Sequence, residues 1–434
     1  MTTYTNLAAR AIPLFALLNL SLAFAQERRG QFLVIPYGWA WFLLAFVLIT
    51  GGIGLAAYLY GRATRPAKAA QYALTSATHM FIWVALILVL YPVINLVAVS
   101  FNRNNNLLSA PPNEGNILVR AGILPDPSRF SFVQYQRILS ETHVLWYQWA
   151  LIAIFVLALA VLAFVAVRKR MGGGVRTERL QTIFGWTLFL SAAVLVLSVT
   201  PEQFYRVNEN GLRQASASEK KVLLFIRNTL LVSGITGLLA VIISSTAGYA
   251  FARMRFEGRY GTLLTFVFVQ MFPAFMAIVA IFYLMNFLGL LNSFVGLILA
   301  YSGGAIAFSS WIFKGYLESV SPSLEEAAMV DGATRWGAFW RIILPLSVPM
   351  LIFIFLLQFI GTYSEFILAN ILLTGDNRWT IGIGLRTFSA GQQFNTQWGS
   401  LAASAVLGSL PILFIFYSFQ EALTGQTQQG GVKG

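Results

Sequence analysis

The stretch Ser323-Leu324-Glu325-Glu326-Ala327-Ala328-Met329-Val330-Asp331-Gly332-Ala333-Thr334-Arg335-Trp336, running on to Ile343-Leu344-Pro345, is a long charged segment between spans apolar enough to cross a bilayer. Its grammar is two short helices around a glycine. Pro322 and Ser323 form a start signal, and Ser323 and Glu326 are spaced as a capping box, in which a hydroxyl and a carboxylate satisfy orphan amides reciprocally. Leu324, Ala327 and Ala328 fall on one helical face, with side chains small enough to enter a groove on another protein. Gly332 supplies a chain reversal without a Cβ penalty. Beyond it Trp336, Phe339, Trp340 and Ile343 repeat at helical spacing and give a second, bulkier apolar face. Pro345 and Pro349 limit helix continuity where the chain re-enters the membrane.

Working outward, the 434 residues are 57% hydrophobic and only 10% charged, which predicts an all-α polytopic membrane protein. The formal charge of +13 sits in short basic clusters between apolar spans, the positive-inside pattern rather than the continuous basic face of a nucleic-acid binder. There are no cysteines, which removes disulfides, thiolate nucleophiles and thiolate metal sites. His79 and His143 are the only histidines and read as interfacial, so no metal site and no catalytic residue is expected.

Residues 11–25 read either as a short first helix or as a signal peptide with Ala23-Phe24-Ala25 before the cleavage point. Spans follow at 33–60, 78–100, 145–167, 181–200, 222–250, 262–288, 294–313, 345–373 and 399–420. The total is about ten helices, or about nine if the first is cleaved. Arg62, Arg65 and Lys68, then Arg168 to Arg179, then Arg253, Arg255 and Arg259 mark the cytoplasmic side, and alternation puts the Glu326 loop there too. Gly172-Gly173-Gly174 lacks the Lys-Ser/Thr of a phosphate-binding loop and reads as a turn. The expected organisation is an N-terminal extension 1–77, a first core helix and external loop 78–144, an inserted hairpin and external loop 145–221, a core domain 222–420 carrying the loop 314–344, and a tail 421–434.

Glu326-Ala327-Ala328, Gly332 and Ile342-Ile343-Leu344-Pro345 resemble, at each fixed position, the EAA signature of importer-type ABC permeases. Tyr249-Ala250-Phe251-Ala252-Arg253-Met254-Arg255-Phe256, Gln270-Met271-Phe272-Pro273, Leu324 to Thr334, Leu344 to Pro349 and the tail Gly431-Val432-Lys433-Gly434 look like the MalG-type subunit of maltose and maltodextrin importers. The likeness covers roughly residues 78–100 and 222–434. It implies a type I, MetI-like helix bundle with extra N-terminal helices and an inserted hairpin. It also implies a bacterial inner-membrane location with a cytoplasmic C-terminus. The partners implied are a second, MalF-type permease, a MalK-type ATPase dimer and an external sugar-binding protein, with membrane lipid around the bundle. ATP and magnesium would be held by the ATPase and no cofactor by this chain.

That resemblance assigns ATPase coupling to Glu325, Glu326, Ala327, Ala328, Asp331, Gly332, Leu344 and Pro345, with Glu326 accepting a charge-assisted hydrogen bond from an arginine of the ATPase. Gln270, Met271, Phe272, Pro273 and Glu365 are candidates for the translocation path, because ionisable and polar residues inside a span are functional by default. Met271-Phe272-Pro273 reads as a kinked helix, and Glu365, near the outer end of its span, reads alternatively as solvated or paired with the second permease. Gln270, Asn286, Gln358 and Asn370 could meet sugar hydroxyls, or equally hydrogen-bond helix to helix. Gly391, Gln392, Gln393, Phe394 and Asn395 are candidates for a loop entering the binding protein. Another oligosaccharide such as trehalose stays open as the cargo. An independent secondary transporter lacks a visible acid–base chain or inverted repeat.

Overall fold

The computed structural model describes residues 38–105, 130–170, 176–271, 273–389 and 396–424. Residues 11–25, Phe272, the loop candidates Gly391 to Asn395 and the tail from 425 lie outside the described residues. The chain divides into two compact units, Met1–Val133 and Gln134–Gly434.

In the first unit α1 (Gly38–Thr64) and α2 (Ala69–Ser100) pack together, joined by a single turn at Pro66–Lys68. The expected boundary at residues 77 and 78 therefore falls inside a continuous helix. Polar Gln71, Thr75 and Ser76 concealed it from a hydropathy reading, but Ser76 returns its hydroxyl to the Tyr72 carbonyl, so its polar group is satisfied within the helix.

The division falls at the first residue of α3 (Val133–Leu139), and the second unit continues with α4 (Trp146–Arg170) and α5 (Arg176–Leu197), which pack together as the expected hairpin. Buried Gln148 and Gln203 close its base: Gln203 donates to Gln148 Oε1 at 2.6 Å, and Gln148 donates to Ser198 Oγ at 3.0 Å. His143 stacks on Tyr205 at 3.9 Å beside this network. A two-stranded antiparallel ribbon follows, with β1 (Tyr205–Val207) against β2 (Arg213–Ala215).

The core helix is α6 (Val222–Arg253), packed by α9 (Phe294–Ser319), α12 (Val348–Ser364), α14 (Ile381–Arg386) and α15 (Trp398–Thr424). Its buried stripe includes Thr229, Ser233, Thr236, Gly237, Ala240, Ser244 and Gly248. In lipid the hydrophobic effect does not drive helices together, and such small residues let backbones approach closely enough for dispersion to do so. Two apolar clusters sit at opposite ends of this helix: Phe225, Phe359, Tyr363 and Ile381 near its start, and Tyr249, Phe313, Leu317, Phe339 and Ile343 near its finish. Near the start, Asn228 Nδ2 donates to the carbonyls of Asn377 and Trp379, and Lys221 pairs with Asp376 at 2.7 Å.

Seven helices among the described residues are long and apolar enough to cross a membrane, nine if two bent pairs each count as one span. Of the expected spans, 262–288 carries the expected kink, and 345–373 is broken where one continuous span was expected. The span expected at 262–288 is α7 (Arg259–Met271) and α8 (Ala274–Phe287), bent by 104°. Pro273 explains it, having no amide hydrogen and disfavouring helical geometry in the residue before it. The span expected at 345–373 ends as a long helix at Ser364, and a separate α13 (Ile367–Leu372) completes it.

Candidate functional site

The loop between α9 and α12 folds as two short helices, α10 (Ser323–Val330) and α11 (Arg335–Ala338). Gly332 joins them with φ +88°, and an added Cβ would meet nothing within 4 Å. The amides of Gly332 and Ala333 donate to the carbonyls of Met329 at 3.1 Å and Ala328 at 2.9 Å, a Schellman closure of α10. Thr334 then caps α11, its hydroxyl accepting from the Gly337 amide at 3.0 Å. The chain continues through a wide π turn, Phe339–Ile343, into Leu344–Leu346, and bends by 71° before α12. Pro345 cannot donate to the carbonyl one turn back, consistent with a widened turn at that point.

The capping box does not form. Pro322 occupies the N-cap position of α10, with no side-chain cap, and Ser323 exchanges a hydroxyl contact with Ser321 at 2.7 Å. Glu326 is exposed instead of folded back onto the helix start.

The larger correction concerns which residues face outward. Glu325 and Ala328 are buried against their own chain, whereas Leu324, Glu326, Ala327, Met329, Val330 and Asp331 are exposed. Glu325 Oε1 accepts from Arg253 Nε at 2.6 Å and its Oε2 accepts from the Tyr249 hydroxyl at 3.0 Å. A carboxylate two positions from Ala327 thus belongs to the bundle, because α6 ends with a cation that must be paired to be buried. The bulky face also divides. Phe339 and Ile343 are fully buried, with Phe339 4.8 Å from the Tyr249 ring, while Trp336 and Trp340 remain exposed at 58% and 50%. Leu344 is half-buried against the same cluster and Pro345 is exposed. The result is an outward surface with two carboxylates, Glu326 and Asp331, apolar side chains from Ala327 to Val330 in size, and two indoles, on a loop anchored from beneath.

The path candidates do not converge on one point. Gln270, Met271 and Pro273 lie exposed at the α7–α8 bend, and Asn286 is exposed further along α8. Gln358 instead donates to Ser309 Oγ at 3.0 Å, and Asn370 accepts from Arg386 at 3.0 Å, so both make contacts within the bundle. Glu365 stands at the second break. Its oxygens accept from the amides of Leu368 at 2.9 Å and Ala369 at 3.2 Å and from the Tyr301 hydroxyl, so it caps α13 and ties it to α9. Arg253 and Tyr249 hold Glu325, a contact that sequence reading did not assign to them. Their signal was the first arginine of a basic cluster, still within the span, and a loop with two adjacent glutamates.

The bent helix bundle with its outward-facing loop is shared with membrane transport components. The sequence profile of the family described as "Binding-protein-dependent transport system inner membrane component" matches residues 233–427. A solved bacterial ABC transporter that imports the acidic polysaccharide alginate shares the fold, with TM-score 0.52 at 18% identity over 80% of this chain and 95% of that one. The maltose/maltodextrin transport system permease protein MalG of Escherichia coli K12 is 43% identical over 220 residues, 49% of this chain and 73% of that protein. Its counterpart in Vibrio parahaemolyticus is 37% identical over 306 residues, 68% of this chain and 95% of that protein. The chain belongs to the binding-protein-dependent transport system inner-membrane component family, and within it resembles the MalG-type permeases.

Proposed function

We propose that this permease serves an importer of maltose and maltodextrins, in which a separate ATPase supplies the energy and an external binding protein delivers the sugar. The observation that carries the coupling part is the division of the α10–α11 loop. Glu326, Ala327, Leu324 and the two indoles face out while the residues beneath them are fixed to the bundle. Glu326 would meet a cation of the ATPase, Ala327 would permit close approach, and Asp331 and Gly332 would set the angle between the two helices. Rocking of the bundles would then alternate access from the two sides. ATP and magnesium would bind the ATPase dimer and a second permease would complete the path, so this chain is assigned no nucleotide site and no catalytic role.

The orientation follows from charge. Arg62, Arg65 and Lys68, and Arg253, Arg255 and Arg259 at and just beyond the end of α6 that meets the loop, support a cytoplasmic loop by the positive-inside rule. Gln270 and Met271, exposed at the α7–α8 bend, are assigned to the path shared with the second permease. Glu365 is assigned to holding the shape of that path rather than touching sugar.

The test is ATP hydrolysis by the purified complex in nanodiscs, with binding protein empty or loaded with maltotriose, trehalose or an unrelated sugar. Stimulation by maltotriose-loaded protein alone supports the reading. Stimulation by trehalose alone moves the cargo and keeps the importer, and uptake driven by an ion gradient without a co-purifying ATPase overturns it. In the same system Gly332→Asp is expected to insert normally and abolish ATP-dependent uptake; normal uptake at normal expression refutes the docking role of the loop.

A further inference from the structure

Glu325 adjoins the outward carboxylate Glu326 yet points the other way, and its contacts join elements distant in sequence. Arg253 is the last residue of α6. Its Nε donates to Glu325 Oε1 at 2.6 Å and its Nη2 donates to the Val320 carbonyl at 2.7 Å, so one guanidinium spans α10 and the end of α9. The Tyr249 hydroxyl, one turn earlier in α6, donates to Glu325 Oε2 at 3.0 Å and lies 3.4 Å from the Arg335 carbonyl of α11. Both charged side chains are largely buried, at 13% and 8% exposure.

We infer that Arg253, Glu325 and Tyr249 are positioning residues that convert displacement of α10 into displacement of α6. This rests on the proposed docking of the α10–α11 loop to an ATPase. The apolar contact of Ala328 beneath α10 is non-directional and resists sliding weakly. A buried carboxylate held by a planar guanidinium and a phenol has a fixed geometry, and moving one partner away strands a charge. Force applied to Glu326 and Ala327 therefore leaves α10 through Glu325. It enters the helix against which α9, α12, α14 and α15 all pack. On this view the two adjacent glutamates divide the work: Glu326 receives the motion and Glu325 passes it on.

The experiment uses the whole complex in nanodiscs and reads sugar transported per ATP hydrolysed, alongside hydrolysis without sugar and the amount of assembled complex. Glu325→Gln and Arg253→Gln are expected to assemble and hydrolyse ATP while transport per ATP falls about tenfold, equivalent to about 1.4 kcal/mol of lost coupling. The reversed pair, Arg253→Glu with Glu325→Arg, is expected to regain much of that loss. Tyr249→Phe removes one hydrogen bond and no charge, and is expected to give a smaller loss of the same kind even if the charge variants fail to assemble. The inference is overturned if transport per ATP in assembled single variants equals wild type. It is also overturned if transport and hydrolysis fall in proportion, which would leave the clamp a role in folding alone. Failure of the wild-type complex to couple ATP to sugar would strike the proposed function itself, and this control separates the two.

Discussion

Gly332 offers a test in which backbone and side-chain effects separate cleanly. Its φ of +88° lies in the region where a residue with a Cβ is strained by about 1–2 kcal/mol. An added Cβ would meet nothing within 4 Å in this chain, so Gly332→Ala carries no steric term of its own. A shift of that size changes the population of the closed α10–α11 turn by a factor of about 5–30. Reduced freedom of the unfolded chain returns about 0.4–1 kcal/mol to overall stability but does nothing for the turn once the protein is folded. Asn enters the left-handed region more readily than Ala, so Gly332→Asn is expected to retain more function than Gly332→Ala. The assay is sugar-stimulated ATP hydrolysis and uptake in nanodiscs, with complex assembly as control. Equal activity of the Ala variant and wild type would refute the backbone argument. An Asn variant worse than the Ala variant would show that side-chain volume against a partner, not φ, sets the requirement.

Three further outcomes follow from the same geometry. Glu365→Ala removes the acceptor for the Leu368 and Ala369 amides and should lower stability by about 0.5–2 kcal/mol, read as a lower melting temperature in detergent, with Glu365→Gln falling between. Gly384→Ala would place a Cβ 2.2 Å from Cδ2 of fully buried Phe225, so a loss of about 1–3 kcal/mol is expected, with partial recovery on adding Phe225→Leu. Lack of recovery would place the strain elsewhere. Lys221→Met strips Asp376 and Asn377 of a charged donor worth about 1.5–3 kcal/mol, and should speed amide exchange across 375–379 while leaving the α10–α11 loop unchanged.

The spans were legible because lipid demands long apolar helices and leaves the backbone no alternative. The chain reversal at Gly332 was legible because few other residues adopt that φ. The faces of α10 were not. Helical spacing groups Glu325 with Ala328 and Glu326 with Val330, but which group turns inward depends on Arg253, 72 positions away in sequence. The break at Pro273 announced itself, whereas the one at Glu365 has no proline. There an acidic side chain takes over the first amides of α13, and hydropathy averaged along the segment conceals the change. Glu365 read as a path candidate or a paired carboxylate, and its observed contacts within the chain are those of a cap.

The base of the α4–α5 hairpin has a consequence for how this permease could be built and rebuilt. The chain enters at Thr142 and His143 and leaves at Gln203 and Phe204, and these ends meet: the His143 amide donates to the Gln203 carbonyl at 2.9 Å, and Thr142 bridges Phe204. Whatever lies between is a cassette whose removal leaves two ends already side by side, so the surrounding chain need not be rerouted to close the gap. Removal would uncover the face of α15 where Phe414 and Phe419 meet Phe189 at 5.5 and 6.4 Å, and the start of α6 where Leu224 packs against Val199. A short splice across the base, with Phe414 made smaller, would recover a leaner transporter. The same doorway would accept a fluorescent or affinity module, provided that the packing of Phe204 on Leu224 at the start of α6 is kept.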